Sequence, residues 1–139
     1  MKTIVCAVDG SPGGIEALRV ATELSRTLRL RLVLAHVASG HRHLDGAVRG
    51  TDRGREDAGQ LLERVAHEVG LNGDADRRAE SGERAATLAR VASEEAASVL
   101  VVGARSQGRR RRTLLSGLAA DLNATAPCPV VVVPPAVRR

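Results

Sequence analysis

Short, mostly apolar runs recur along the chain: Thr3-Ile4-Val5-Cys6-Ala7-Val8, Leu32-Val33-Leu34-Ala35-His36-Val37, Val99 to Val102 and Val130 to Val133. Runs without polar alternation suit strands covered on both faces, as in a parallel sheet. The intervening segments have helical spacing. After Ser11-Pro12, a cap followed by a proline whose missing N–H costs nothing, Ala17, Val20, Ala21, Leu24 and Leu28 fall on one helix face. Ala58, Leu61, Leu62, Val65, Ala66 and Val69 repeat the pattern before Gly70 to Asp74 break it. An alanine-rich helix starts at Glu83, and another begins near Leu114 or Leu115 and ends before Pro127-Cys128-Pro129.

Two stretches are less clear. Ser39 to about Arg55, rich in Gly and Arg, reads as the most loop-like part of the chain. Ala75 to Ser81 should hold a strand, yet Ala-Asp-Arg-Arg-Ala-Glu-Ser is poor strand material, which places it at a sheet edge. The order β-α-β-α-β-α-β-α-β is the signature of an α/β doubly wound fold, a five-stranded parallel sheet with helices on both faces. No linker or internal repeat divides residues 1–139, so one domain is expected.

Composition narrows the function classes. The chain has no Phe, Trp or Tyr, so its core is aliphatic and the stacking platforms of single-stranded nucleic-acid binders are missing. The net charge of +5 rests on arginine, with Lys2 the only lysine; it permits contact with polyanions, and non-specific nucleic-acid binding of that kind would fade steeply with salt. No apolar run nears the roughly 20 residues of a membrane span and no signal-peptide pattern opens the chain, so a cytoplasmic protein is expected. Cys6 and Cys128 read as reduced, buried thiols.

In an open α/β sheet, ligands bind beyond the carboxyl ends of the strands, where the strand order reverses. Asp9 ends the first strand and Gly103 the fourth. An acid able to bond a ribose hydroxyl, facing a glycine loop able to approach phosphate, makes a nucleotide site; singly, each residue is equally explained as a turn. Arg105 and Arg109 to Arg112 follow Gly103 and offer either phosphate ligands or a solvated basic loop. His41-x-His43 has no acidic or cysteine partner at ligand spacing, so no metal site is expected, and His36 reads as a satisfied core histidine. No Ser-His-Asp set or carboxylate pair points to catalysis.

Val8-Asp9-Gly10-Ser11-Pro12, Leu34-Ala35-His36-Val37, Val101-Val102-Gly103 with its basic loop, and Ala126-Pro127-Cys128-Pro129-Val130 together resemble the universal stress protein family, in the right order along essentially the whole chain. The resemblance implies strand order 3-2-1-4-5, a homodimer, and in one branch bound ATP, with Mg2+ accompanying it. On that pattern Asp9 would hold the ribose, Val37 would contact the adenine, and Gly103 with Ser116 and Gly117 would hold the phosphates. The branch carries G-x-x-G, nine residues, then G-[S/T]; here Ser106 stands at the second glycine, and the final pair is reversed as Ser116-Gly117. A serine forced into a glycine conformation costs about 1–2 kcal/mol, and moving a hydroxyl one residue along a helix start swings it by about 100°. A combined penalty of about 2–4 kcal/mol would weaken a micromolar site to between tens of micromolar and about millimolar. The expectation is a stress-response regulator that binds an adenine nucleotide, weakened by the altered motif, and is at most a slow ATPase. The alternative is a nucleotide-independent dimeric interaction module of the same family. In the implied order Val130 to Val133 lies at an apolar, uncovered sheet edge, which predicts pairing with a second copy.

Overall fold

The computed structural model describes residues 2–71, 73–104 and 117–135. The expected Leu114/Leu115 helix start, the arginine run, Ser106 and Ser116 lie outside the described residues. The main sheet contains β1 (Thr3–Ala7), β2 (Arg31–Ser39), β5 (Asp76–Gly82), β6 (Ala97–Gly103) and β7 (Val130–Val133), with β3 (His41–Arg42) and β4 (Val48–Arg49) forming a separate hairpin. Its order is β5-β2-β1-β6-β7, with each neighbouring pair parallel. Numbering only these five strands along the chain, this is the expected 3-2-1-4-5.

Side-chain alternation divides the apolar residues between two layers. Ile4, Cys6, Leu32 and Leu34 face α1 (Pro12–Leu28) and α2 (Asp52–Glu68). Val5, Val33, Ala35, Val37, Leu100 and Val102 face α3 (Arg84–Glu94) and α4 (Gly117–Thr125). Both layers are aliphatic, so density comes from Val and Leu interdigitation. On α1, Ala17, Leu18 and Ala21 are buried, but Leu28 is 59% exposed. The helix stops at that residue, with Arg29 in the left-handed conformation, so Leu28 has left the packed stripe.

The loop expectation for Ser39 to Arg55 is corrected. β2 runs on to Ser39, the β3–β4 hairpin follows, and α2 starts at Asp52 behind a Thr51 cap whose side chain accepts from the Gly54 amide at 2.9 Å. The stretch packs closely on the end of β5: a Cβ at Gly40 would lie 2.5 Å from the Arg49 carbonyl oxygen and 2.8 Å from Gly82 Cα.

The charged segment forms the edge strand, and its charges have partners. Alternation sends Asp76, Arg78 and Glu80 to the α3 face. Arg78 donates to Glu95 at 2.8 Å and Glu94 at 2.6 Å, Arg90 to Glu80 at 2.7 Å, and Arg31 to Asp76 at 2.7 Å and Glu95 at 2.8 Å. Burial pushes the Glu95 carboxyl up, but hydrogen bonds from Arg31 and Arg78 outweigh it and hold the group below its ordinary range. Tertiary pairing thus overrides poor strand propensity. At the opposite edge β7 presents four valines, of which Val131 is 36% exposed.

Candidate functional site

The crevice opens above the carboxyl ends of β1, β2 and β6, on the α3/α4 side of the sheet, with an empty volume of about 390 Å³ including its mouth. Ala35, Val37, Leu88, Val102 and Leu118 make an apolar floor, and Asp9, His36, Arg84 and Gly103 border it. The mix of apolar lining with a few polar groups suits a small-molecule site. Of the residues singled out from sequence, Asp9, Val37 and Gly103 meet here. Gly117 opens α4 one residue before the lining Leu118 and is not itself part of the lining.

Asp9 is held by the start of α1. Its Oδ1 accepts from the Ser11 amide at 3.0 Å and the Ser11 hydroxyl at 2.6 Å, while the same hydroxyl oxygen accepts from the Gly14 amide at 3.1 Å. Ser11 is therefore cap and clamp at once: it satisfies a free helix amide and fixes the carboxylate. A Cβ on Gly14 would overlap Asp9 Oδ1, so the carboxylate lies over the first turn only because position 14 is glycine. Gly10, in the turn, has φ +76°, a conformation that favours glycine.

Gly103 has a packing reason to be glycine, beside the one the sequence suggests. A Cβ there would stand 2.6 Å from the Gly13 carbonyl oxygen and 3.2 Å from the Gly14 nitrogen. The end of β6 thus packs backbone against backbone on the first turn of α1. The close approach is to the protein itself. Gly13 and Gly14 complete this contact; their only signal in the sequence is two glycines directly after a helix-opening proline.

His36 is half-buried rather than fully enclosed, with Nδ1 2.5 Å from the Val8 carbonyl oxygen. A carbonyl can only accept, so Nδ1 carries the proton. Burial lowers the imidazole pKa, the Val8 carbonyl opposes that, the Arg84 charge adds to the lowering, and Asp9 pulls the other way. Arg84, the first residue of α3, gave no sequence signal, since a polar pocket residue lies outside any hydrophobic periodicity. Beneath the site, burial and then the Asp9 charge push the Cys6 thiol up to about 12, which leaves it an inert core group. Cys128, expected buried, is only half-buried. His41 and His43 stack edge to face on the exposed hairpin with centroids 5.3 Å apart, and the described residues contain no cluster of three or more metal-ligating side chains. No helix among the described residues is long and apolar enough to cross a membrane.

Solved structures place this architecture among known proteins. A universal stress protein from Archaeoglobus fulgidus is 22% identical, with TM-score 0.73 and coverage of 96% of this chain and 98% of its own. A universal stress protein from Archaeoglobus fulgidus in complex with dAMP is also 22% identical, with TM-score 0.67 over 96% and 98%. A family member from Arabidopsis thaliana with AMP bound is 18% identical, with TM-score 0.67 over 99% of this chain and 94% of its own. At these identities the likeness speaks for the fold. A comparison with curated protein sequences gave no match. Residues 1–134 match the universal stress protein family as a whole, and the chain belongs to that family.

Proposed function

We propose that this protein binds an adenine nucleotide, ATP with Mg2+ foremost, in the crevice above β1, β2 and β6, as a regulator in the stress response that does little or no chemistry on it. The observation that carries the reading is that Asp9 just beyond β1, Val37 in β2 and Gly103 at the end of β6 line one cleft with an apolar floor. The carboxylate of Asp9 bonds the ribose hydroxyls, the floor beside Val37 takes the base, and the segment from Gly103 to Ser116-Gly117 takes the phosphates. The dAMP and AMP complexes of the two relatives support this assignment. On this reading hydrolysis is at most slow. The protein works in the cytoplasm as one domain.

It acts as a homodimer paired through Val130 to Val133, the apolar edge of the sheet. Equilibrium sedimentation checks this: a monomer at concentrations well above those of the binding assay would contradict it. A second reading, a nucleotide-independent dimeric interaction module, draws on Gly103, whose missing side chain is already used by Gly13. It draws equally on Ser106 and the reversed Ser116-Gly117 pair.

Calorimetry with ATP and Mg2+ separates the two, since the chain has no tryptophan or tyrosine to report by fluorescence. A dissociation constant of about 50 micromolar or tighter, near −6 kcal/mol, and lost in Asp9→Ala, supports the nucleotide reading. No heat up to millimolar ATP from a folded dimer supports the interaction module.

A further inference from the structure

We infer that His36 is the positioning residue for Asp9, setting through its Nδ1–H bond to the Val8 carbonyl the angle at which the carboxylate meets a ribose; the inference rests on the nucleotide reading above. The regular pairing of β1 with β2 ends at Ala7↔Ala35. One further rung follows, the Val8 amide donating to the Ala35 carbonyl at 2.8 Å. The Val8 carbonyl, on the far side of that residue, accepts from His36 Nδ1 at 2.5 Å. This oxygen belongs to the same planar peptide unit as the Asp9 nitrogen, so fixing it fixes the plane from which the Asp9 Cα departs. Ser11 grips the other end of the residue, with its amide and hydroxyl on Oδ1 at 3.0 and 2.6 Å. Asp9 is thereby held twice, by the imidazole at its backbone and by the serine at its carboxylate.

The neighbourhood fits a positioning role. His36 is the one residue between Ala35 and Val37 whose side chain leaves the cleft floor, since alternation turns those two toward α3 and α4. The ring therefore reaches the β1 turn at the Val8 carbonyl from the border of the cleft. A hydrogen-bonded group held in this way costs no reorganisation when the ligand arrives. The expected signature is specific: weakening the clamp should lower affinity for ligands that use Asp9 and leave those that do not.

The test is calorimetry of ATP and 2′,3′-dideoxy-ATP, each with Mg2+, against the wild-type protein, His36→Asn and His36→Leu. The asparagine amide can donate to the Val8 carbonyl in place of Nδ1, and leucine cannot. The expected result is that His36→Leu weakens ATP about fivefold to tenfold with dideoxy-ATP unchanged, and that His36→Asn recovers most of the loss. Equal losses for the two nucleotides in a folded His36→Leu protein, or no loss for either, would overturn the inference. A wild-type protein that binds neither nucleotide would refute the nucleotide reading itself. Should His36→Leu fail to fold, nitrogen NMR of wild-type His36 at neutral pH decides: a proton on Nδ1 that persists on ATP binding supports the clamp, and a proton on Nε2 alone overturns it.

Discussion

The two walls of the crevice are built on opposite principles. The Asp9 wall is made of polar atoms that hold one another, from His36 to Val8, and from Asp9 through Ser11 to the Gly14 amide. The Gly103 wall is made by leaving atoms out, so that the end of β6 can touch the first turn of α1 at Gly13. The same helix start serves both. The first wall is damaged by removing an atom, the second by adding one, and this difference decides what each substitution should do.

The largest effect is expected on the polar wall. Asp9→Ala removes a charged acceptor, and hydrogen bonds to charged groups are worth about 1.5–3 kcal/mol, so ATP affinity measured by calorimetry should fall about tenfold to a hundredfold. An unchanged affinity would separate Asp9 from the ligand altogether. On the glycine wall, Gly103→Ala sets a Cβ 2.6 Å from a backbone carbonyl oxygen that has no flexible end to move aside. Overpacking of this kind typically costs about 1–3 kcal/mol, to be read as a lower urea midpoint even without nucleotide. If Gly103→Ala left stability untouched, the contact with Gly13 would not need the glycine and the comparison between the walls would fail.

Ser11→Ala should come next, with a loss of about 1 kcal/mol of stability from the missing cap and a weaker hold on Asp9, so that stability and affinity fall together. The smallest effect is on pH dependence. Burial, opposed in part by the Val8 carbonyl, keeps the folded His36 pKa below its ordinary value. As pH falls below about 6.5, the unfolded chain therefore takes up this proton more readily than the folded one. Stability should thus decline through that range and be retained above it. Denaturation midpoints at pH 7.5 and pH 5.5 should differ less in His36→Asn than in wild type.

Much of the fold was legible because its signals are local. The apolar runs around Val5, Leu34 and Leu100 and the Ser11-Pro12 start reported the sheet and its first helix directly. The edge position of Asp76–Gly82 followed from its charge, although the ion pairs that hold it there reach 10 to 17 residues onward to Arg90, Glu94 and Glu95 and 45 residues back to Arg31. The β3–β4 hairpin escaped because two-residue strands have no periodicity. The start of α2 escaped for a related reason: Asp52, Arg53, Arg55 and Glu56 face solvent, and its apolar stripe begins only at Ala58.

At the site, Asp9 was visible because an acid ending an apolar strand is rare enough to notice. The part Gly103 plays was not, because a glycine in a sequence shows that space is needed and never what fills it. Gly13, Gly14 and Arg84 belong to that same class of residue, defined by what crosses them in space. The turn and the histidine were both in view, but the bond from His36 to Val8 spans 28 residues and only the strand register brings it about.

The most direct measurement is an amide NMR titration of the isotopically labelled protein with ATP and Mg2+. The account predicts saturable shifts concentrated at Asp9, Val37, Gly103 and Leu118, with the far ends of the strands near Arg31 and Asp76 unmoved. Shifts absent at millimolar ATP, or confined to residues away from the crevice, would contradict it.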